Sequence, residues 1–343
     1  MKKFISLLLV LILTIGLAAC GGGNAKEENG GNEGEGGGGG DDKVYTVKMS
    51  TQQAETSPIV QGFYKLADRL KEKSNGRLIM EVYPSAQLGT DDDVIEQAEQ
   101  GVNVAMLTDG SRMSLYVPDM GIIGAPYITE TYDDVLKINE SETFKGWVQQ
   151  LSDEHGIRVL SFNWYDGPRH FLTNKPIQKP EDLKGLRIRT AGSPVWLESV
   201  KALGATPIAM PWGEVYSAIQ QGAVDGAEAQ HTSTYPSRIY EVADYVNKTN
   251  HFNLINGIIV GEKWFQTLPE DLQTILLEET KAAAEESGRE IEGLQAELEA
   301  KLVEEGMEVV EPDVEAFRAA AEKAYEVLGY TELREQIRQE MGK

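Results

Sequence analysis

The sequence predicts an α/β fold of two lobes, with mixed sheets and a long helix running across both. Three observations carry this. About 300 residues follow a glycine-rich N-terminal stretch, enough chain for two domains. Short apolar runs then alternate with helical periodicities, the pattern of α/β units around a mixed sheet. The last third changes character, with apolar residues at helical spacing from Pro269 and no further proline before Pro312.

The elements follow in order. Met1-Lys2-Lys3 is basic, Phe4 to Leu17 is almost continuously apolar, and Leu17-Ala18-Ala19-Cys20 ends the run. A basic start, a short apolar core and small residues at the cut describe a secretory signal peptide over residues 1–19. The apolar run is shorter than the ~20 residues of a spanning helix. The only cysteine of the chain closes a lipobox, so Cys20 is expected to be acylated and to become the mature N-terminus. The alternative is an ordinary signal with a chance cysteine. Residues 20–43 are glycine and acid with nothing to form a core, which reads as a flexible tether.

From Val44 the alternation begins. Val44–Met49, Arg77–Tyr83 and Val102–Leu107 read as strands, and Pro58–Lys73 and Asp92–Glu99 as helices. Ile157–Phe162 and Leu186–Arg189 read as strands, and Pro194–Leu203 and Glu214–Gln220 as helices. Pro269 sits at a first helical position before Glu270 and Asp271. Leu272, Ile275, Leu276, Ile291, Leu294, Leu298 and Leu302 continue the periodicity as one helix, or as two broken near Gly288.

Composition narrows the function. The formal charge is −23, and loss of Lys2 and Lys3 with the signal makes it −25. Such a chain repels nucleic acid and anionic lipid surfaces, and any anion it binds needs a local cationic pocket. With one cysteine there is no disulfide framework. The histidines His155, His170, His231 and His251 have no i, i+4 partner, and no HExxH, GxSxG or phosphate-loop motif occurs. Anchoring together with two α/β lobes favours a binding protein over an enzyme, with no cofactor.

Three segments are distinctive: NWYDGPRHFLTNKP at 163–176, LKGLRIRT at 183–190, and LGATPIAMPWGEVYSAIQQGAVDGAEAQH at 203–231. YPSAQLG at 83–89, TNH at 249–251 and LPEDLQ at 268–273 extend the set. In order and spacing the chain resembles the solute receptors of tripartite ATP-independent periplasmic (TRAP) transporters, the DctP-type solute-binding proteins of family 7. The resemblance implies a periplasmic-binding-protein-like, type II-like fold. Lobe I would be 44–166 plus roughly 255–290, and lobe II 167–254 plus roughly 291–343 with the C-terminal helices. It implies a long helix crossing both lobes.

A carboxylate is best held by a planar guanidinium with parallel donors. Arg189 closes an expected strand, and the resemblance makes it the partner of the substrate carboxylate. Alternation puts Arg187 on the same face, and only the motif separates the two; Arg187 reads as a surface ion pair. The resemblance also brings Arg169 near the substrate, with Glu228 and His251 in a polar network behind the arginines and Trp212 as an aromatic wall. Asp109 falls near an acidic contact, and Gln52 lies in the loop after the first strand. Trp164 and Trp196 are further pocket-facing candidates. Where many members carry an asparagine, this chain has Ala229, so Gln230 or His231 would have to replace that contact.

The expected ligand is an organic acid with one obligatory carboxylate. The bulky tryptophans suit an aromatic or branched monocarboxylate or a 2-oxo acid as well as a dicarboxylate. By resemblance the partners are the small and large membrane subunits of a TRAP permease driven by an ion gradient. The receptor would sit on the outer face of the cell membrane, held by its lipid, and such tethering suits a Gram-positive host. Rival readings are a solute-binding lipoprotein of an ATP-driven importer and a cell-surface hydrolase.

Overall fold

The computed structural model describes residues 43–343. The expected signal peptide, Cys20 and the expected tether up to residue 42 lie outside the described residues. Nine strands form one sheet: β1 (Tyr45–Ser50), β2 (Leu78–Tyr83), β3 (Val104–Asp109), β4 (Ile157–Thr173), β5 (Arg187–Thr190), β6 (Thr206–Ala209), β7 (Gly226–Gln230), β8 (Tyr245–Gly261) and β9 (Glu308–Val310). Their order is β2-β1-β3-β8-β4-β7-β5-β6, with β9 beside β8. The β1–β2, β1–β3, β5–β6, β5–β7 and β8–β9 pairs are parallel. Those of β3–β8, β4–β7 and β4–β8 are antiparallel. The sheet is therefore mixed, as expected, and it is continuous because β4 and β8 each run for 17 residues.

Here the structure corrects the sequence reading. The strand expected to end at Phe162 continues to Thr173. Asp166-Gly167-Pro168 signals a turn, but the segment stays extended. Register shifts between Val159 and Ser161, Ser161 and Trp164, Tyr165 and Gly167, and Arg169 and Phe171 absorb the misfit. Gly167 takes φ +102°, which a side chain would resist. Proline tolerates a central strand only at such irregularities.

Separate apolar clusters lie along this sheet. The largest gathers Val47, Met49, Phe63, Leu66, Met106, Trp164 and Ile259. A second holds Leu172, Val215, Ile219, Ala227 and Val246, and a third Phe171, Ile177, Ile188, Val200 and Phe317. One helix of 35 residues, Glu270–Glu304, gives Leu272, Leu276, Ala284 and Ile291 to the first cluster and Leu302 to the second. It does not break at Gly288. A Cβ there would lie 2.5 Å from the Tyr132 ring, so the glycine is a notch for that ring. The C-terminal segment divides: Phe317 and Ala321 join the third cluster, whereas Tyr330, Ile337 and Met341 join the first. Among the described residues, no helix is long and apolar enough to cross a membrane.

Candidate functional site

A cleft of about 350 Å³ opens between residues of the first cluster's side and those around β5–β7. One wall carries Gln52, Gln53, Asp91, Asp92, Asp109 and Arg112; the other carries Arg169, Arg189, Trp196, Met210, Trp212 and Ser233.

Arg189 stands on β5 between β6 and β7. Its guanidinium is 5% exposed and donates from Nε and Nη2 to the Met210 carbonyl at 2.9 and 2.7 Å. It packs 5.2 Å from the centre of the Trp212 ring. Among the described residues no carboxylate lies within ion-pair distance of it. Burial lowers its pKa to about 10, with the distant Glu228 charge opposing. Arg187, two residues earlier on the same face, pairs with Asp225 at 2.8 Å and is accounted for at the surface.

Arg169 on β4 faces β7, where Glu228 and Gln230 share a face by strand alternation. It donates to Glu228 Oε2 through Nε, to Gln230 Oε1 at 2.5 Å, and to the Glu228 carbonyl at 2.7 Å. Its charge is thus matched within the fold. Burial works to raise the Glu228 carboxyl, but the Arg169 charge and its hydrogen bond, with the nearby His251 ring adding to the pull, hold it at about 2. The Thr190 hydroxyl donates to its other oxygen at 2.8 Å. His251 Nε2 lies 3.8 Å from Glu228, its Nδ1 is 2.7 Å from Thr249 Oγ1, and burial lowers its pKa.

Gln230 Nε2 donates to Asp166 at 2.6 Å and to Ser233 at 2.7 Å, and Ser233 donates to Gln53 at 2.8 Å across the cleft. Gln52 spans it too: Nε2 donates to Asp91 at 2.6 Å, and Oε1 accepts from the Trp212 amide at 3.1 Å. The loop bearing both glutamines is held by Ser85 and Ala86, whose amides donate to the Gln53 and Thr51 carbonyls at 2.8 and 2.9 Å. Burial of Asp166 raises its pKa to about 6, against hydrogen bonds from Thr232 and Gln230.

Of the residues singled out from sequence, Arg189, Arg169, Trp212, Trp196, Asp109 and Gln52 line the cleft. Glu228 and His251 are fully buried behind Arg169. Gln230 is fully buried as well, a link between Arg169 and Ser233 and not a wall residue. Trp164 is a correction. It is fully buried in the first cluster, edge-on to Phe63 at 4.9 Å, with Nε1 donating to Ser161 at 3.0 Å. Its indole lies in that cluster, at a point of β4 flanked by register shifts.

Three of the cleft residues that escaped sequence reasoning are Arg112, Asp91 and Asn256. Arg112 binds Asp91 at 3.0 Å and Asp92 at 2.5 Å. Asp91 is raised in pKa by burial, with Arg112 opposing. Asn256 on β8 is the third. Asp109 and Arg112 lie at the C-terminal end of β3, where open α/β sheets place their ligands, and that position was the available signal. Burial raises the Asp109 carboxyl too, opposed by the Arg112 charge and the Arg112 and Ser111 amides. Among the described residues no group of three or more His, Cys, Asp or Glu side chains is placed to hold a metal ion.

Known proteins share this fold. The family model described as bacterial extracellular solute-binding protein, family 7, matches residues 49–331. The sialic acid-binding periplasmic protein SiaP of Vibrio cholerae is 30% identical over 280 residues, covering 82% of this chain and 87% of that protein. A TRAP periplasmic solute-binding protein from Ochrobacterium anthropi, solved with bound L-fuconate, is 32% identical with a TM-score of 0.84, covering 87% of this chain and 99% of that one. One from Actinobacillus succinogenes, with bound L-galactonate, is 30% identical with a TM-score of 0.83 over the same shares, 87% and 99%.

Proposed function

The chain belongs to bacterial extracellular solute-binding protein family 7, whose members are solute receptors and not enzymes, and from this we propose that it captures an organic acid for a TRAP permease. One observation carries the ligand's charge. Arg189 is a buried guanidinium on a cleft wall with no carboxylate of its own among the described residues. A buried charge without a partner is costly, and a ligand carboxylate removes that cost. The relatives solved with L-fuconate and L-galactonate hold ligands of this kind. Arg169, already neutralised by Glu228, contributes its remaining donors and a fixed positive field.

In this reading residues 44–166 and roughly 255–290, with the helix Thr331–Glu340, form one lobe, and the remainder forms the other. The ligand favours the closed arrangement through its differential affinity, and closure strengthens the ion pair by excluding water. The closed receptor then delivers its cargo to the small and large permease subunits. Cys20 carries the lipid that holds it on the extracytoplasmic face of the membrane. The anchor keeps the receptor concentrated near its permease.

Calorimetry with a pool of organic acids tests this. Arg189→Ala abolishes carboxylate binding. Arg189→Lys weakens it by on the order of 100-fold, because a point charge replaces two parallel donors. Unchanged affinity in Arg189→Ala sinks the assignment.

A further inference from the structure

Two glutamines join the walls of the cleft through bonds made by protein atoms alone. Gln52 and Gln53 follow β1, on the wall that carries Asp91 and Arg112. Gln52 Oε1 accepts from the Trp212 amide at 3.1 Å, and Gln53 Oε1 accepts from the Ser233 hydroxyl at 2.8 Å. These partners lie 160 and 180 residues further along the chain, after β6 and β7.

The near end of this bridge is fixed. Gln52 Nε2 donates to Asp91 at 2.6 Å, and Asp91 pairs with Arg112 at 3.0 Å, so the amide oxygen is the end turned to the far wall. The loop itself is held by the Ser85 and Ala86 amides. Those residues take φ +55° and +57°. Neither is glycine, so each sits in the left-handed region at a steric cost. Such strain persists only where its surroundings enforce it, and it collects at clamps and switches. Here it aims two amides at the carbonyls of Gln53 and Thr51.

The far end leads to the arginines. The Met210 carbonyl accepts both donors of Arg189, and Trp212 Nε1 donates to Ser237 at 3.0 Å. Gln52 thus grips, through the Trp212 amide, the segment that orients Arg189. Ser233 accepts from Gln230, which accepts from Arg169, so Gln53 leads to the second guanidinium. Both polar atoms of Gln52 are already committed to the protein, which removes it from the ligand contacts that the sequence led us to expect.

Resting on the receptor reading, we propose that Gln52 and Gln53 are positioning residues: they latch the two walls together, hold the two arginines in register, and do not select the ligand. A bond between walls favours the closed arrangement by the same amount whichever acid is bound. It raises every affinity and leaves their ratios alone, because selectivity is a difference of affinities.

Amide exchange tests the latch with no ligand added. The Trp212 amide is bonded across the cleft, so its exchange reports closure. Gln52→Ala should speed it by about fivefold, the worth of one neutral hydrogen bond. Gln53→Ala and Ser233→Ala leave that bond intact, yet each should speed the same amide, and the two together no more than either alone. Amides paired between β5 and β7 should keep their rates. Calorimetry with a pool of organic acids, L-galactonate, L-fuconate and succinate among them, reads the other half. Gln53→Ala should weaken every acid that binds the wild type by about fivefold and leave their ratios unchanged. Trp212 exchange unmoved by Gln53→Ala overturns the latch. A changed ratio among the acids overturns its indifference to the ligand. Either result leaves the carboxylate receptor standing. If no acid binds the wild type, the receptor reading falls, and the exchange of Trp212 still decides the latch.

Discussion

Replacing Glu228 by Gln removes one charge from a deeply buried ion pair while keeping its shape. Glu228 and Arg169 are 0% and 4% exposed, so the arginine has no solvent to turn to. The carboxyl is held at about 2 against an ordinary 4.5; at roughly 1.4 kcal/mol per unit, that gap is worth about 3 kcal/mol of stability at pH 7. Breaking a buried pair costs about 3–5 kcal/mol by an independent route. For a chain of this size about 3 kcal/mol lowers the melting temperature by roughly 5 °C. The sign follows from the depressed pKa. The stabilisation is complete above pH 4.5 and is lost as pH falls through about 2. Urea unfolding of wild type and Glu228→Gln at pH 7 and pH 3 should therefore show a deficit of about 3 kcal/mol shrinking to about 1 kcal/mol. A deficit below about 1 kcal/mol at pH 7, or one of equal size at both values, refutes the reasoning.

Two further outcomes follow from the same region. Asp166 has its pKa raised to about 6, so its contribution is greatest below the ordinary 3.8 and is lost as pH rises through 6; Asp166→Asn should flatten that part of the stability profile, read by thermal melts from pH 4 to 8. Gly167 has φ +102°, and a Cβ there would sit 2.8 Å from Gln295 Nε2, so Gly167→Ala should cost about 1–3 kcal/mol in urea unfolding.

How far the sequence revealed the site depended on how local each signal was. The helix Pro58–Lys73 was readable to the residue because proline, periodicity and length coincide within it. Arg189 and Arg187 share a strand face, and periodicity could not rank them. What separates them is Asp225, which is 38 residues from Arg187 in sequence and reaches it only in the fold. Trp164, two residues ahead of the turn signal Asp166-Gly167-Pro168, was expected to face the pocket. The turn never forms, and the ring lies in the core, at a point of β4 flanked by register shifts. Asn256 and Arg112 carry no pattern of their own, and their place in the cleft is set by the β3–β8 pairing. Gly288 read as a possible break because glycine weakens an isolated helix. In the fold the lost propensity is offset by the packing of Tyr132 in the notch.

That unbroken helix sets where the molecule is stiff. It is about 50 Å long and rooted in apolar clusters at both ends, so it behaves as a beam. A rotation of one half against the other cannot be taken up by a proline-free helix without opening its hydrogen-bonded turns. It falls instead on β4 and β8, whose ladder is already interrupted at each register shift. Amide exchange should carry that signature. Protection should be near-uniform along Glu270–Glu304, whereas within β4 it should dip around Gly167 and Arg169, a narrow band of early exchange in the middle of a long strand.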